Sequence, residues 1–161
     1  MDNYLELPIG DKAPEVLTTV VEIPEDSTNK YEYDRDMNVF VLDQVLHSPV
    51  HFPGDYGFIP QTLAQDGDPL DISILGDTST FTGCIYAVRP VGLFEMLDHG
   101  ACDEKILAYA MGNPGFLDIR NDNEILPHVL LEIAHFFPST RSLRTRRQRS
   151  LGGRTAKQHT R

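Results

Sequence analysis

The chain has 161 residues, of which 40% are hydrophobic and 24% are charged. This length and composition are typical of one soluble globular domain with a substantial core. The absence of an apolar run of about 18 residues argues against a membrane span. The acidic first residues lack a signal-peptide pattern, and two cysteines without ligand spacing favour a reduced, cytoplasmic setting.

Charge divides the chain into two parts. Residues 1–137 contain all 24 acidic residues and six basic ones, a balance of −18, whereas residues 138–161 contain eight basic residues and no acidic one. An acidic body of this kind repels nucleic acid and suits a metal site. The basic segment has no hydrophobic stripe, which predicts disorder. We therefore expect a domain over 1–137 and a disordered basic tail over 138–161.

The first half of the chain predicts three strands. Thr18 to Ile23 is rich in β-branched residues and is stopped by Pro24. Lys30 to Tyr33 alternates with the period of a strand, and a polar turn connects it to a further strand, Asn38 to Leu42, in a hairpin.

The second half predicts four more strands and one helix. The strands are Asp71 to Leu75, Cys84 to Arg89, Val91 to Met96 and Lys105 to Ala110. Leu126 to Phe137 has an apolar stripe with helical spacing and a proline in its first turn. Many short strands with a helix predict an α+β fold, mainly β, built as a small barrel with flanking helices.

The strongest local signal is the run Asp66-Gly67-Asp68-Pro69-Leu70-Asp71, which places three carboxylates within six residues. Gly67 and Pro69 predict a turn. Clustered carboxylates repel one another unless a hard cation such as Mg²⁺, Mn²⁺ or Ca²⁺ lies among them. An isolated run of this kind is more often a solvated acidic turn. An EF-hand is excluded, because its sixth and twelfth positions would be Asp71 and Asp77.

A second acidic group comprises Asp98, Asp103 and Lys105, which we expect in a loop that follows the strand Val91 to Met96. Alone it is more typical of a polar hairpin loop. The histidines have no ligand spacing and are expected to be structural or exposed.

Taken together, these segments resemble the soluble, magnesium-dependent inorganic pyrophosphatases, over about Thr19 to Phe137. The resemblance rests on the run 66–71 and, in the same order along the chain, on Glu22-Ile23-Pro24, Lys30-Tyr31-Glu32, the segment 52–60, Arg89-Pro90-Val91-Gly92, Asp98 with Asp103-Glu104-Lys105, and His135-Phe136-Phe137.

The resemblance implies a five-stranded, OB-like β-barrel with flanking helices, a homohexamer and a cytoplasmic location. It implies that diphosphate is the substrate and that Mg²⁺, with Mn²⁺ or another divalent cation as a substitute, is the cofactor. Asp68 would help to generate the attacking hydroxide. The implied metal ligands are Asp66, Asp71, Asp98 and Asp103, supported by Glu22 and Glu32; the implied phosphate contacts are Lys30, Tyr56 and Lys105.

The chain departs from this family in three places. Gln44 stands where the family has a phosphate-binding arginine, so it keeps hydrogen bonding but loses a charge, and Phe52 replaces a tyrosine. After Phe137 the family continues with a Tyr-Lys pair that is absent here. If Pro138 to Arg141 is written CCG-AGT-ACA-AGG, a one-base shift after an added G encodes Ala-Glu-Tyr-Lys. We therefore hypothesise a frameshift near Phe137.

Three functions follow as hypotheses. The first is Mg²⁺-dependent hydrolysis of inorganic diphosphate to two phosphates by an activated water. The second is a catalytically impaired relative that binds metal and phosphate, favoured by Gln44 and the missing Tyr-Lys pair. The third, an OB-type nucleic-acid module with a basic arm, conflicts with the acidic body. We expect no membrane partner and no specific nucleic-acid partner.

Overall fold

A computed structural model describes residues 3–47, 49–98, 100–137 and 140–144. These residues form eight strands: β1 Leu17–Ile23, β2 Asn29–Asp34, β3 Val39–Val45, β4 Asp55–Ile59, β5 Leu70–Leu75, β6 Ile85–Asp98, β7 Ala101–Ala110 and β8 Thr140–Arg144. One α-helix, α1, spans Pro127–Phe136, and short 3₁₀ helices span Tyr4–Glu6, Pro114–Phe116 and Asp122–Glu124. Within this described part, no helix is long and apolar enough to cross a membrane.

Five strands close into a ring in the order β1-β4-β5-β7-β6, with β6 returning to β1. β6 closes the ring because it is long: Ile85 to Val88 pair with β1, while Val88 to Asp98 pair with β7. The register shifts between Pro90 and Gly92, which is where a residue without an N–H interrupts the ladder. This closed ring of five strands, with one α-helix and short 3₁₀ helices, confirms the predicted mainly-β fold class.

The interior of the ring is filled by alternating apolar side chains. Ile72 and Ile74 of β5 are buried, as are Val88 of β6 and Ala108 of β7. Gly57 of β4 lies so close to β1 that a Cβ atom there would be 1.9 Å from the carbonyl oxygen of Val20. Only glycine allows the two backbones to approach in this way. The β1–β4 contact therefore depends on this one residue.

The helix α1 covers the part of the sheet that lies beyond Pro90. Ile133 is fully buried among Phe94, Met96 and Leu107, and Val129 and Leu130 pack against the same group. This is the face predicted from the helical stripe. The opposite face leaves Leu131 exposed.

The hairpin of β2 and β3 forms a separate two-stranded sheet. Tyr33 anchors it to the barrel by packing with Val20 and Phe58. An N-terminal strap, residues 3–7, ties the hairpin to the end of β4: the Tyr33 hydroxyl donates to Asn3 Oδ1 at 2.9 Å, and the Gln61 N–H donates to the Leu5 carbonyl at 3.0 Å.

Several expectations about elements were wrong. Asp103 lies within strand β7, which begins at Ala101 and not at Lys105, because β6 and β7 extend as a hairpin into the expected loop. The predicted strands Cys84 to Arg89 and Val91 to Met96 are one strand with a bulge. Residues 140–144, expected to be disordered, form β8 and pair with residues 93–97 of β6. The rest of the predicted tail lies outside the described residues.

Candidate active site

A cleft of about 380 Å³ lies between the β2–β3 hairpin and the acidic turn that precedes β5. β1, β2 and β4 form its floor and one wall, and the turn forms the other. Seven of the residues singled out in the sequence line it: Glu22, Lys30, Glu32, Tyr56, Asp66, Asp68 and Asp71. Segments separated by up to 49 positions in the chain therefore meet in one cavity.

The acidic turn has the conformation that its glycine and proline predict. Gly67 adopts a positive φ of 88°, and the backbone N–H of Asp68 donates to Asp66 Oδ1 at 3.0 Å. The hydroxyl of Thr62 accepts a hydrogen bond from the N–H of Leu70 at 3.0 Å, which fixes the start of β5. The turn thus presents Asp66 and Asp68 as exposed carboxylates, while Asp71 lies deeper on the strand.

Lys105 does not line the cleft itself, but it contacts Tyr56 and Asp71, which do, and only 5% of its surface is exposed. β5 and β7 are parallel, and their register places Asp71 directly beside Lys105. The Lys105 ammonium donates to the Tyr56 hydroxyl at 2.8 Å and to carboxylate oxygens of Asp71 and Asp103 at 3.1 Å each. Asp103 reaches it because residues two apart in a strand share a face. All three donor positions of the ammonium are occupied.

Burial disfavours the negatively charged forms of several acidic groups that line the cleft. Burial raises the pKa of Glu22 to about 7, although a hydrogen bond from the Tyr33 N–H lowers it in part. Burial also raises the pKa of Asp71 despite the nearby Lys105, and it raises the pKa of the Tyr56 hydroxyl well above its usual range. Partly desolvated carboxylates that repel one another are stabilised when a cation lies between them.

Asp103 lines a second, smaller cavity of about 130 Å³, together with Asp66 and Asp71. The last two residues also line the main cleft, so they stand between the two spaces. Asp98 ends β6 opposite Ala101, five positions before Asp103 in the chain. Its backbone is therefore at the same hairpin, but its side chain lies outside the described part of the structure.

Gln44 does not line the cleft. It is exposed on β3, opposite Lys30 of β2. The neighbouring Asp43 instead binds the Lys30 ammonium, at 3.0 Å. Apart from Gln44, which lies one strand away, and Asp98, whose side chain is not described, the residues predicted for the site line the two cavities or, as Lys105 does, contact residues that line them.

The sequence analysis assigned no role in the site to two residues that line the cleft. Leu5 belongs to the N-terminal strap, and Arg35 lies in the turn between β2 and β3. The Arg35 guanidinium donates to Asp68 Oδ1 at 2.7 Å. The one sequence signal for Arg35 was its rarity, since the acidic body has only six basic residues.

The donor set suits a hard divalent cation, because it consists of carboxylate oxygens from several elements. Among the residues that the structure describes, no three acidic, histidine or cysteine side chains already surround a common point. Arg35 and Lys105 bind Asp68, Asp71 and Asp103 instead. The residues fit a metal site whose carboxylates are held by protein cations in this structure.

Comparison with known proteins agrees with this geometry. The sequence model described as inorganic pyrophosphatase matches residues 19–161. The chain is 48% identical over 139 residues to an inorganic pyrophosphatase of Nostoc sp., covering 86% of this chain and 82% of the relative, and 47% identical to one of Synechocystis sp., covering 85% and 81%. The crystal structure of inorganic pyrophosphatase from Thermus thermophilus superposes with a TM-score of 0.82 at 39% identity, covering 96% of this chain and 84% of that one. The chain belongs to the inorganic pyrophosphatase family.

Proposed function

We propose that this chain hydrolyses inorganic diphosphate to two phosphates in the cleft between the β2–β3 hairpin and the acidic turn, and that it requires Mg²⁺, with Mn²⁺ as a substitute. The observation that carries the proposal is the convergence of Asp66, Asp68 and Asp71 with Lys105 in a chain of this family. When bound, the divalent cations neutralise phosphate oxygens and activate water.

The carboxylates are assigned two roles. Asp66, Asp71, Asp98 and Asp103 hold the cations, with Glu22 and Glu32 in support. Asp68 accepts the proton of the attacking water, because it lies on the exposed turn at the mouth of the cleft, where its side chain is 63% exposed and Arg35 holds only one of its two oxygens.

The remaining groups bind the substrate. Phosphoryl transfer needs position and positive charge more than covalent help. Lys105 supplies a buried charge whose direction is fixed by Tyr56, Asp71 and Asp103. Lys30 supplies a second charge at the opposite wall. Gln44 lies outside the cleft, so its hydrogen bond to phosphate stays a prediction from the sequence.

Phosphate release from diphosphate tests this proposal. We expect the purified chain to release phosphate with Mg²⁺ and to stop when a chelator is added. Asp68→Asn should lower kcat by at least about a hundredfold, the lower end of what a positioned general base contributes. Asp11→Asn, an exposed aspartate outside the cleft, is the control. A folded chain without metal-dependent release would contradict the proposal and favour the impaired alternative.

We further propose a homohexamer located in the cytoplasm, with a catalytic domain over 1–137 and a basic segment over 138–161. Exposed apolar residues on the hairpin, Met37, Val39, Leu42 and Val45, support an association surface. Light scattering after size-exclusion chromatography tests the assembly, and a monomer at micromolar concentration would contradict it.

A further inference from the structure

Arg35 links the two walls of the cleft. It lies in the turn between β2 and β3, and its guanidinium crosses to Asp68 Oδ1 on the acidic turn, at 2.7 Å. Among the described residues that line the cleft, Lys30 and Arg35 are the only Lys or Arg side chains. Lys30 is bound by Asp43 of its own hairpin, whereas Arg35 is bound by the residue that we assign as the general base.

We propose that Arg35 is a substrate-binding residue, whose guanidinium leaves Asp68 when diphosphate enters and then binds phosphate oxygens. The inference rests on the proposed function, because it takes Asp68 as the base. A base must lie within hydrogen-bond reach of the water that attacks phosphorus. A guanidinium in contact with Asp68 is therefore already next to the position of the reacting phosphate.

The present ion pair is suited to exchange. The Arg35 side chain is 51% exposed and that of Asp68 is 63% exposed, so solvent screens their attraction and the pair contributes little. Diphosphate carries several negative charges in a compact volume, and the planar guanidinium fork matches two phosphate oxygens at once. Substrate is therefore the stronger partner.

The exchange also frees the base. While Arg35 holds Asp68, the guanidinium occupies Oδ1, so that oxygen is not available for a hydrogen bond from the attacking water. When substrate draws Arg35 away, that oxygen becomes available for the attacking water. The entry of substrate and the release of Asp68 are thus one movement of a single side chain.

Direct binding tests the inference without turnover. Calorimetric titration with methylenediphosphonate in Mg²⁺ measures affinity for a diphosphate analogue that cannot be hydrolysed. We expect Arg35→Gln to weaken binding about tenfold, since a hydrogen bond to a charged group is lost. Arg35→Lys keeps the charge and should recover about half of this loss on a logarithmic scale. Arg120→Gln, an exposed arginine outside the cleft, should bind like wild type.

Kinetics separate binding from chemistry. Arg35→Gln should raise KM for diphosphate about tenfold and change kcat less than about threefold, the pattern of a lost binding contact. Unchanged affinity in both Arg35 variants, with the thermal midpoint of wild type, would overturn the inference. A wild-type chain that binds the analogue but does not hydrolyse diphosphate would overturn the proposed function instead, and the calorimetric comparison would still decide the role of Arg35.

Discussion

Lys105 shows how a single side chain organises this site. Its ammonium holds two carboxylates and one phenol, and it is almost completely enclosed. A buried cation of this kind stabilises the surrounding acids, and in the proposed function it also offers a fixed positive charge to substrate. Its partners come from β4, β5 and β7, so its hydrogen bonds form only when those three strands are correctly aligned.

Replacement of Lys105 by glutamine should therefore impair catalysis and the local fold together. We expect Lys105→Gln to lower kcat/KM at least a hundredfold, because the charge is lost and Asp71 and Asp103 then repel each other. Phosphate-release kinetics measure this effect. Lys12→Gln, which alters an exposed lysine outside the cleft, is the matched control. Activity within threefold of wild type would contradict the assignment.

Glu25 predicts a pH dependence of stability that is independent of the active site. Burial, with smaller contributions from Asp26 and Asp55, raises its pKa in the folded chain to about 7 from 4.5. The folded state therefore binds the proton more tightly than the unfolded state does. Glu25 therefore contributes to the free energy of unfolding below pH 4.5, and this contribution is lost as the pH rises to 7.

A neutral residue at position 25 should remove this loss of stability at high pH. Glu25→Gln should raise the thermal midpoint relative to wild type at pH 8, on the order of 2 °C because solvent screens part of the effect. The difference should be small at pH 4.5. Calorimetric scans at both values test this, and a larger benefit at the lower pH would contradict the sign.

At the level of elements, the β1–β4 contact is the most sensitive to substitution. A Cβ atom at Gly57 would clash with the Val20 carbonyl oxygen, and backbone cannot move aside as a side chain can. We expect Gly57→Ala to lower the free energy of unfolding by about 3 kcal/mol, the upper end for overpacking. Urea denaturation measures this change.

Gly112 provides the control for that substitution. A Cβ atom there meets nothing within 4 Å, and no positive φ is recorded for it. Gly112→Ala should therefore change stability by less than about 0.5 kcal/mol. Because Tyr56 adjoins Gly57, the Gly57→Ala variant should also lose activity. Equal stability of the two variants would show that the strands separate at little cost.

Elements whose hydrophobic residues recur with a clear helical or strand period were predicted well, and elements without such a period were not. The stripe of α1 and the alternation in β2 indicate their buried faces directly. β4 was missed because Pro53, Gly54, Gly57 and Pro60 interrupt its pattern, although the close approach to β1 requires Gly57. The break at Pro90 suggested two strands, but a bulge lets one strand continue through it.

Most of the residues predicted for the site line one cleft, and the roles assigned to them stay predictions. Acidic clustering and the resemblance in sequence motifs indicated these residues, because diphosphate hydrolysis restricts which side chains can serve. Arg35 was missed because a lone arginine in a turn has no pattern. The pairing of Lys105 with Asp71 needs the parallel register of β5 and β7, which no local signal contains.

For the whole molecule, the excess of carboxylates in the cleft predicts that divalent cations stabilise the fold. A ligand that binds only the native state at 100 times its Kd adds about 2.7 kcal/mol. We expect Mg²⁺ at that excess to raise the thermal midpoint by about 5–10 °C. Asp71→Asn should reduce this shift. Sodium chloride of equal ionic strength is the control, and an equal effect of the two salts would exclude a specific site.

The N-terminal strap has a practical consequence for protein production. Residues 3–7 contact the hairpin wall of the cleft and the segment that follows β4: Asn3 and Tyr4 contact Tyr33 of the hairpin, Gln61 donates to the carbonyls of Leu5 and Glu6, and Leu5 lines the cavity. An affinity tag fused directly before Asn3 would begin next to Tyr33, which lines the cleft. A polyhistidine tag there would also bring metal-binding groups to an acidic cleft. Purification handles are better separated from this end by a cleavable spacer, and kinetic constants are better measured after its removal.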